Sequence, residues 1–521
     1  MAERAIILAV DAGTSVIKAV AFDQAGRLLG SRARRNVYQE YAGGAAEQDL
    51  ARTWEDTASV LAELVAATGA REIAALAITG QGDGTWLIDA AGRPAAPAML
   101  WLDARAAPIV EALHANGAAQ AAFAETGTGL AACQQSVQLL WLQQRQPEVL
   151  ARAATAFHCK DWLYFNLTGT RATDAAEASF TFGNWRTRTY SNATLAALGL
   201  QDLRAKLPPV VEGTRVAHGL CPGAAARLGL PAGLPVVLAY LDVICTALGA
   251  GIYTGGPESG VSIIGSTGMH MKLARTPAAV LPSPAMTGYC TPFPVPGTTV
   301  QMQSNMAATL NIDWVVGLAA DAVALAGATP DRAALLAALD TAAAAATPAA
   351  ALFHPFISAA GERGPFTDAA ARAALMGLER GLGLGGLMRT VCEALAFAAR
   401  DCFESIGGVP PVIHVAGGGA RSAAQRAILA TVLNRPVRTV AQPEAGAAGA
   451  AMIAALNLGL YPDMASCAAI WVEPLLGPPE QPDAALAGLY DRFFSIYRES
   501  CAAMPPLWHR MHAFQEARHA A

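Results

Sequence analysis

Charge is scarce in this 521-residue chain. Lys, Arg, Asp and Glu make up 15% of it, and 36 basic against 41 acidic residues leave a net charge of −5 with no long basic block. A nucleic-acid partner, which needs a positive surface to displace counterions from phosphate, is therefore not expected. Paired cysteines are missing as well. The nine present run from Cys133 to Cys501, an odd number with no Cys-x-x-Cys among them. Neither a disulfide framework nor a zinc knuckle is expected, and the chain reads as reduced and cytoplasmic. No apolar stretch is clean enough to span a bilayer: 235–253 is interrupted by Asp242, and 321–351 carries several charges. Met1-Ala-Glu-Arg4 runs into an apolar strand without a small-residue cleavage site, so no signal peptide is expected. Gly-x4-Gly-Lys-Ser/Thr, His-Glu-x-x-His and Gly-x-Ser-x-Gly do not occur, which removes the P-loop, zinc-protease and nucleophile-elbow readings. What the chain does have is apolar residues, 53% of the total. That is enough to offset the entropy of folding, over a length that suits two domains or one duplicated unit.

The apolar run 5–10 ends at Asp11-Ala-Gly-Thr-Ser15, resumes at 18–22, turns at Asp23-Gln-Ala-Gly26 and continues at 27–30. This predicts a meander of strands and not a strand-to-helix crossover. Leu50, Trp54, Ala58 and Leu61 share one helical face, predicting a helix over 50–68. Residues 73–79 form the next buried strand, entering Gly80-Gln-Gly-Asp-Gly-Thr85. The second half restarts in the same way. A strand over 236–240 ends in Leu241-Asp242, an Ala/Gly-rich helical piece reaches 250, and a strand over 260–264 ends at Gly265-Ser-Thr-Gly268 and resumes at 269–273. Strand, hydroxyl-bearing turn, strand thus recur at a separation of about 250 residues, which points to two similar domains, 1–250 and 251–521. Further on, a strand over 412–416 enters Gly417-Gly-Gly-Ala-Arg-Ser422 and a helix over 423–433. Glu444 opens a Gly/Ala-rich helix thin enough to pack closely, and 483–511 is amphipathic helix. The Ala-rich 321–351 predicts surface helices without chemistry.

Each glycine turn, at Gly13-Thr-Ser15, Gly265-Ser-Thr-Gly268 and Gly417-Gly-Gly419, follows an apolar strand. Singly each is an ordinary tight turn; three in order suggest amides and hydroxyls aimed at phosphate. Gly381-Leu-Gly383-Leu-Gly-Gly386 satisfies G-x-G-x-x-G but lacks an adequate preceding strand, so it reads as the loosened start of a helix over 387–398. Asp11 and Asp242 both end apolar strands, where a carboxylate caps a turn or is presented to a cleft as metal ligand or base. Asp83, between two glycines, is a turn residue or an acceptor, with Trp86 and Trp101-Leu-Asp103 supplying an apolar wall and a second acid. His509-Arg-Met-His512 places two imidazoles a helical turn apart, which a solvated helix end explains better than a metal.

Asp11-Ala-Gly-Thr-Ser15 with Lys18, Trp101-Leu-Asp-Ala-Arg105, the strand ending in Asp242, the two later glycine turns, Gly361-Glu-Arg363, and Glu444 with its Gly/Ala-rich helix follow one another over nearly the whole chain. In order and spacing they resemble the FGGY carbohydrate kinases. The resemblance implies an α/β fold of two actin-like (ribonuclease H-like, ASKHA) domains around a central catalytic cleft. Polyol or sugar would lie mainly on the first domain and ATP mainly on the second. It implies ATP and Mg²⁺ as cofactors, a small-molecule acceptor as partner, neither nucleic acid nor membrane, and the homodimers or homotetramers common among such kinases. Carried over by position, Asp242 is the catalytic base and, with Asp11, the metal site. Gln81, Gly82, Asp83 and Trp101 join Asp242 as substrate contacts. Gly13, Thr14, Ser15 and Lys18, then Gly265, Ser266, Thr267 and Gly268, then Gly417, Gly418, Gly419, Arg421 and Ser422 are the ATP contacts. Such a set suits phosphoryl transfer, which is mostly positioning and charge neutralisation around one base.

Glycerol kinases carry an Arg-Glu pair where this chain has Gly82-Asp83. The missing cation is expected to leave room for an acceptor longer than glycerol, read by its hydroxyl pattern. The Met-His-Gly of the xylulokinase type is absent. The loops around Gly80 and Tyr240 resemble most the erythritol kinase branch, so a terminal hydroxyl of erythritol or another short polyol is the expected acceptor. L-xylulose, 3-keto-L-gulonate and glycerol are the alternatives. An actin- or chaperone-like ATPase shares the fold but has no use for Asp83, Trp101 and Asp242 together. A catalytically silent sugar-binding relative should have lost Asp242 or the 417–419 turn.

Overall fold

The computed structural model describes residues 5–69, 73–254 and 258–520. Ile6–Ala12 (β1) and Val16–Phe22 (β2) pair antiparallel across the Gly13 turn, with Asp11 opposite Lys18, and Leu28–Arg35 (β3) completes the meander. Leu50–Thr68 (α1) starts where Asp49 accepts from Arg52 N, and it lays Leu50, Ala58, Leu61 and Leu64 on β2 and β3. Ile73–Gly80 (β4) returns parallel to β1 and is buried almost throughout, as a strand covered on both faces must be. Cys159–Thr168 (α2), Ala175–Phe182 (α3), His218–Gly219 (β5), Pro235–Leu238 (β6) and Asp242–Gly249 (α4) follow. The sheet order is β5-β6-β4-β1-β2-β3. The strand expected over 236–240 stops at Leu238, so Asp242 opens a helix instead of ending a strand.

The second half repeats the plan. Ser259–Ile264 (β7) and Gly268–Ala274 (β8) form the hairpin; Tyr289–Pro292 (β9) and Thr299–Asn305 (β10) extend it. Thr309–Leu325 (α5) and Arg332–Ala345 (α6) account for the Ala-rich stretch and pack on Leu384–Ser405 (α7). Val412–Ala416 (β11) lies parallel to β7, and Val437–Thr439 (β12) follows Ala423–Leu433 (α8). The sheet order is β9-β10-β8-β7-β11-β12. Hairpin, third strand beside it and two parallel strands on the other side are therefore common to both sheets: a two-domain α/β fold.

Ala445–Asn457 (α9) is the element that ties the halves together. It packs on α4, β1 and β4, and one apolar core holds Ala447–Ala455 residues together with Ile7, Ala77, Val237 and Leu248 of the first half. The expected 483–511 helix is two helices, Ala484–Ala503 (α10) and Pro505–Ala520 (α11), divided before Pro505. His509 Nε2 lies 2.9 Å from Asp368 Oδ2, within hydrogen-bond distance. Among the described residues no helix is long and apolar enough to cross a membrane.

Candidate active site

β1, β4 and β6 run parallel, so their C-terminal ends share one sheet edge, where open α/β sheets place ligands. Asp11 sits near the end of β1, Gln81, Gly82 and Asp83 follow β4, and Asp242 follows β6. Burial pushes Asp242 up to about 7, and the charge of Asp11 adds to the effect. Burial pushes Asp11 up to about 6; Lys18 opposes this and Glu444 reinforces it. Lys18 is itself committed to Glu444 at 2.8 Å. Two neighbouring, partly buried acids thus lack a full counter-charge, the environment that a divalent cation relieves. Among the described residues no group of three or more His, Cys, Asp or Glu could hold a metal. Asp11 and Asp242 alone fit Mg²⁺, which keeps waters and takes phosphate oxygens. Gly446 of α9 makes the approach possible, since a Cβ there would stand 2.4 Å from Asp11 Oδ2.

A chain of hydrogen bonds fixes the adjoining wall. Trp101 Nε1 donates to Thr14 Oγ1 at 2.7 Å, Thr14 donates to Gln81 Oε1 at 3.0 Å, and Gln81 Nε2 donates to Gln48 at 3.0 Å. Gln48 in turn donates to Asn36 at 2.8 Å, and Asn36 to the Gly13 carbonyl at 2.8 Å. Each amide can face only one way in such a relay. Thr14, expected on the phosphate side, is hydrogen-bonded in this wall to Trp101 and Gln81. Asp83 stands in the left-handed region at φ 54, which aims its carboxyl across the cleft. Oδ2 accepts from Tyr289 of β9 at 3.3 Å and from Cys133 at 3.7 Å, while Oδ1 is buried without a partner. Burial raises the Asp83 pKa, and the charges of His158 and Arg363 act against that.

Three expectations for this wall are corrected. A Cβ on Gly82 would lie 2.6 Å from Leu241 Cδ1 and 3.3 Å from Glu177 Oε1; the room expected there is already occupied. Trp86 is fully buried in the first domain's core and lines no cleft. Asp103, read as a second acid, is spent on Arg105 at 2.6 Å and on the Ala46 amide at 3.0 Å.

On the second sheet, pairing of Ile263 with Ala416 brings the 265–268 and 417–419 turns side by side. Gly417 has φ 90 and a Cβ there would meet Ile264 O at 2.6 Å, so only glycine fits. The carbonyls of Gly265 and Ser266 accept from Thr309 N and Ala308 N at the start of α5, pinning that turn. Ser266, Thr267, Gly417, Gly418 and Arg421 are exposed, as is Ser15. Gly268 and Gly419 are buried beneath them. Ser422 is committed elsewhere: it caps α8 by accepting from Gln425 N at 2.9 Å and donates to Asp340.

Cys133, His158, Glu177, Tyr289 and Arg363 stand at or behind Asp83 without having been read as site residues. Arg363 lay in a recognised motif with no role attached. Glu177 left a signal, a lone acid inside the otherwise uncharged helix Ala175–Phe182. Nothing in the sequence pairs Tyr289 or Cys133 with a residue 206 or 50 positions away.

The family models described as the FGGY family of carbohydrate kinases match this chain over residues 6–249 (N-terminal domain) and 260–458 (C-terminal domain). An erythritol kinase of Brucella abortus is 49% identical over 97% of this chain and 98% of its own length. A xylulose kinase of Escherichia coli is 28% identical over 86% of this chain and 90% of its own. Among solved structures, xylulose kinase from Rhodospirillum rubrum superposes with a TM-score of 0.86 at 27% identity, covering 97% of this chain and 100% of that one.

Proposed function

Because the chain belongs to the FGGY family of carbohydrate kinases, an ATP-using phosphotransferase with an alcohol group as acceptor, we propose that its acceptor is a short polyol, erythritol, phosphorylated on a terminal hydroxyl. The observation that carries this reading is the edge of the first sheet. There Asp242 stands beside a wall in which the relay fixes Gln81 and Trp101 and Asp83 Oδ1 is a buried, unpartnered acceptor, and the 49% identical relative is an erythritol kinase. We assign residues 1–250 to the acceptor and 251–521 to ATP, whose phosphates the amides of the 265–268 and 417–419 turns and the hydroxyls of Ser266 and Thr267 would hold.

Asp242 Oδ1 is fixed by the Val243 amide at 2.7 Å, and Oδ2 makes no hydrogen bond among the described residues. Oδ2 takes the proton as the acceptor's O–H bond breaks, its oxygen bonds to the γ-phosphorus, and the β–γ bridging bond opens to release ADP. Asp11 and Asp242 would hold Mg²⁺, which when bound would supply charge neutralisation for the phosphates. Closure of the halves, with Tyr289 and Arg363 against Asp83, excludes the water that would otherwise compete for ATP.

Coupled ADP production across erythritol, D-threitol, glycerol, xylitol, L-xylulose and D-xylulose tests the reading. Turnover strongest on erythritol supports it; turnover confined to a ketopentose overturns the polyol assignment and keeps the kinase.

A second expectation follows from the two acids. Folding raises both above the ordinary 3.8, so their protonated forms are favoured in the native state. Metal-free protein is therefore expected to lose stability as pH rises from about 4 through about 7. Mg²⁺ should restore the melting temperature at pH 8 and have little effect at pH 5. Only ionised Asp242 is a base, so kcat/KM should fall about tenfold per pH unit on the acid side, a limb that added Mg²⁺ shifts to lower pH. Melting curves and pH–rate profiles at two Mg²⁺ concentrations check both. An acid limb indifferent to Mg²⁺ would count against the Asp11–Asp242 metal assignment.

A further inference from the structure

Behind the 80–85 loop lies a cluster of titratable groups, His158, Lys160, Asp161, Asp174 and Glu177, all buried. Most of them satisfy one another. Lys160 lies 2.7 Å from Asp161 and 2.6 Å from Asp174. Asp161 accepts from the His158 amide at 3.1 Å and faces its ring Nδ1 at 3.2 Å, and this acid is held down to about 2 mainly by the Lys160 charge working against its burial. Ionised, it can only accept, so the Nδ1 proton points at it and Nε2 is turned away toward Glu177. Asp174 caps α3 through the Ala176 amide at 2.7 Å, which fixes the first turn of the helix that carries Glu177.

Glu177 is the exception. Both of its carboxyl oxygens are buried without a hydrogen bond, as is His158 Nε2, which lies 3.3 Å from Glu177 Oε2 but off the line a hydrogen bond requires. Its Oε1 reaches to 3.3 Å from where a Cβ of Gly82 would begin, and on the neighbouring residue Asp83 Oδ1 is buried and unpartnered too. Native interiors rarely leave so many polar atoms unmet in one place unless a ligand meets them. Tyr289 of β9 already holds Asp83 Oδ2, which leaves Oδ1 as the atom on offer.

We propose that Glu177 is a specificity-determining residue: with Asp83 it hydrogen-bonds the polyol hydroxyls remote from the phosphorylated one, its Oε1 taking, with Leu241, the space beside Gly82 that a side chain at that position would fill. This rests on the polyol-kinase reading above. His158 is a positioning residue, since it acts on the acceptor only through Glu177. On this reading α3 supplies the polar group that a side chain at position 82 does not.

The test is steady-state kinetics of Glu177→Leu, Glu177→Asp and Glu177→Gln, with KM for ATP and for the polyol measured separately. Loss of such a hydrogen bond should raise the polyol KM about 10–100-fold in Glu177→Leu. The accompanying fall in kcat should be smaller, and KM for ATP should stay put. Glu177→Asp, which keeps the carboxyl but withdraws its oxygens by one carbon, should raise it as well and serves if Glu177→Leu does not fold. Glu177→Gln, still carrying a donor and an acceptor at the same reach, should recover most of the affinity. Erythritol added without ATP should raise the melting temperature of wild type and of Glu177→Gln more than that of Glu177→Asp. A polyol KM unchanged in Glu177→Leu and Glu177→Asp, or a fall confined to kcat, overturns the proposal. If wild type does not turn over erythritol, the substrate reading fails by itself, and the same comparison on its best acceptor still decides the role of Glu177.

Discussion

Asp242→Asn is expected to lower kcat by about 10²–10⁴-fold with acceptor and ATP binding changed only a few-fold. The two side chains are isosteric, and Asn can keep the bond that the Val243 amide makes to Oδ1, so the start of α4 should hold its place. What disappears is the capacity to take a proton at Oδ2 and one of two neighbouring negative charges. Residual turnover should persist, because orienting ATP against the hydroxyl continues without the base. The same substitution separates chemistry from stability. Burial and the charge of Asp11 push Asp242 up to about 7, so at pH 8 the wild-type protein holds a charge that it resists. Metal-free Asp242→Asn should then melt higher than wild type at pH 8 and near it at pH 5. A kinase slower by orders of magnitude and yet more heat-stable is hard to mistake for a misfolded one. Retention of more than a tenth of wild-type kcat would move the base elsewhere, with Asp83 the next acid to examine.

Gly449→Ala should destabilise the protein by about 3 kcal/mol or more, read as a fall in the denaturation midpoint. The sign is opposite to what helix propensity predicts, since alanine in a helix interior is favoured over glycine by about 1 kcal/mol. Geometry decides. A Cβ on Gly449 would lie 1.9 Å from the Cys245 carbonyl oxygen, and on the facing helix a Cβ on Gly249 would lie 2.1 Å from Ala445 O. Both obstacles are backbone, which no rotamer change can clear. α9 and α4 must therefore separate, and they carry Glu444 with Gly446 at one end and Asp242 at the other. Activity should fall along with stability, because a shift at Gly446 frees the Asp11 carboxyl that now fits where a Cβ would be. A Gly449→Ala protein as stable as wild type would mean that the close crossing of these helices does not bear on the fold.

Much of this molecule can be read from its order of residues. The meander at the start of each half, α1 over 50–68, and the glycine turns after β1, β7 and β11 follow from short-range rules: alternation, helical spacing, and the need of a tight turn for a residue without Cβ. Gly417 is legible for the same reason, as the residue where β11 gives way to a turn, whereas Asp11 lies within the last two residues of β1 and Asp242 opens α4 with three residues between it and the end of β6. The two sheet orders confirm the recurrence that those turns suggest.

Tertiary structure decided what depends on distance in space. Gly82 promised an opening, and Leu241 with Glu177 fill it. Trp86 and Asp103 promised a wall, and the core and Arg105 claim them. Ser422 was read as facing a nucleotide, and it caps α8. Tyr289 and Arg363 reach Asp83 from the other half of the chain, and α9, late in the sequence, lies in the core of the early half. Hydrogen-bond partners and free volume are set by whichever segments the fold brings together, and local pattern holds no record of that. Strand and turn depend on a residue and its near neighbours, so the sequence could specify them alone; the polarity and shape of the acceptor wall depend on contacts 50 to 206 residues apart, and those exist only in the folded chain.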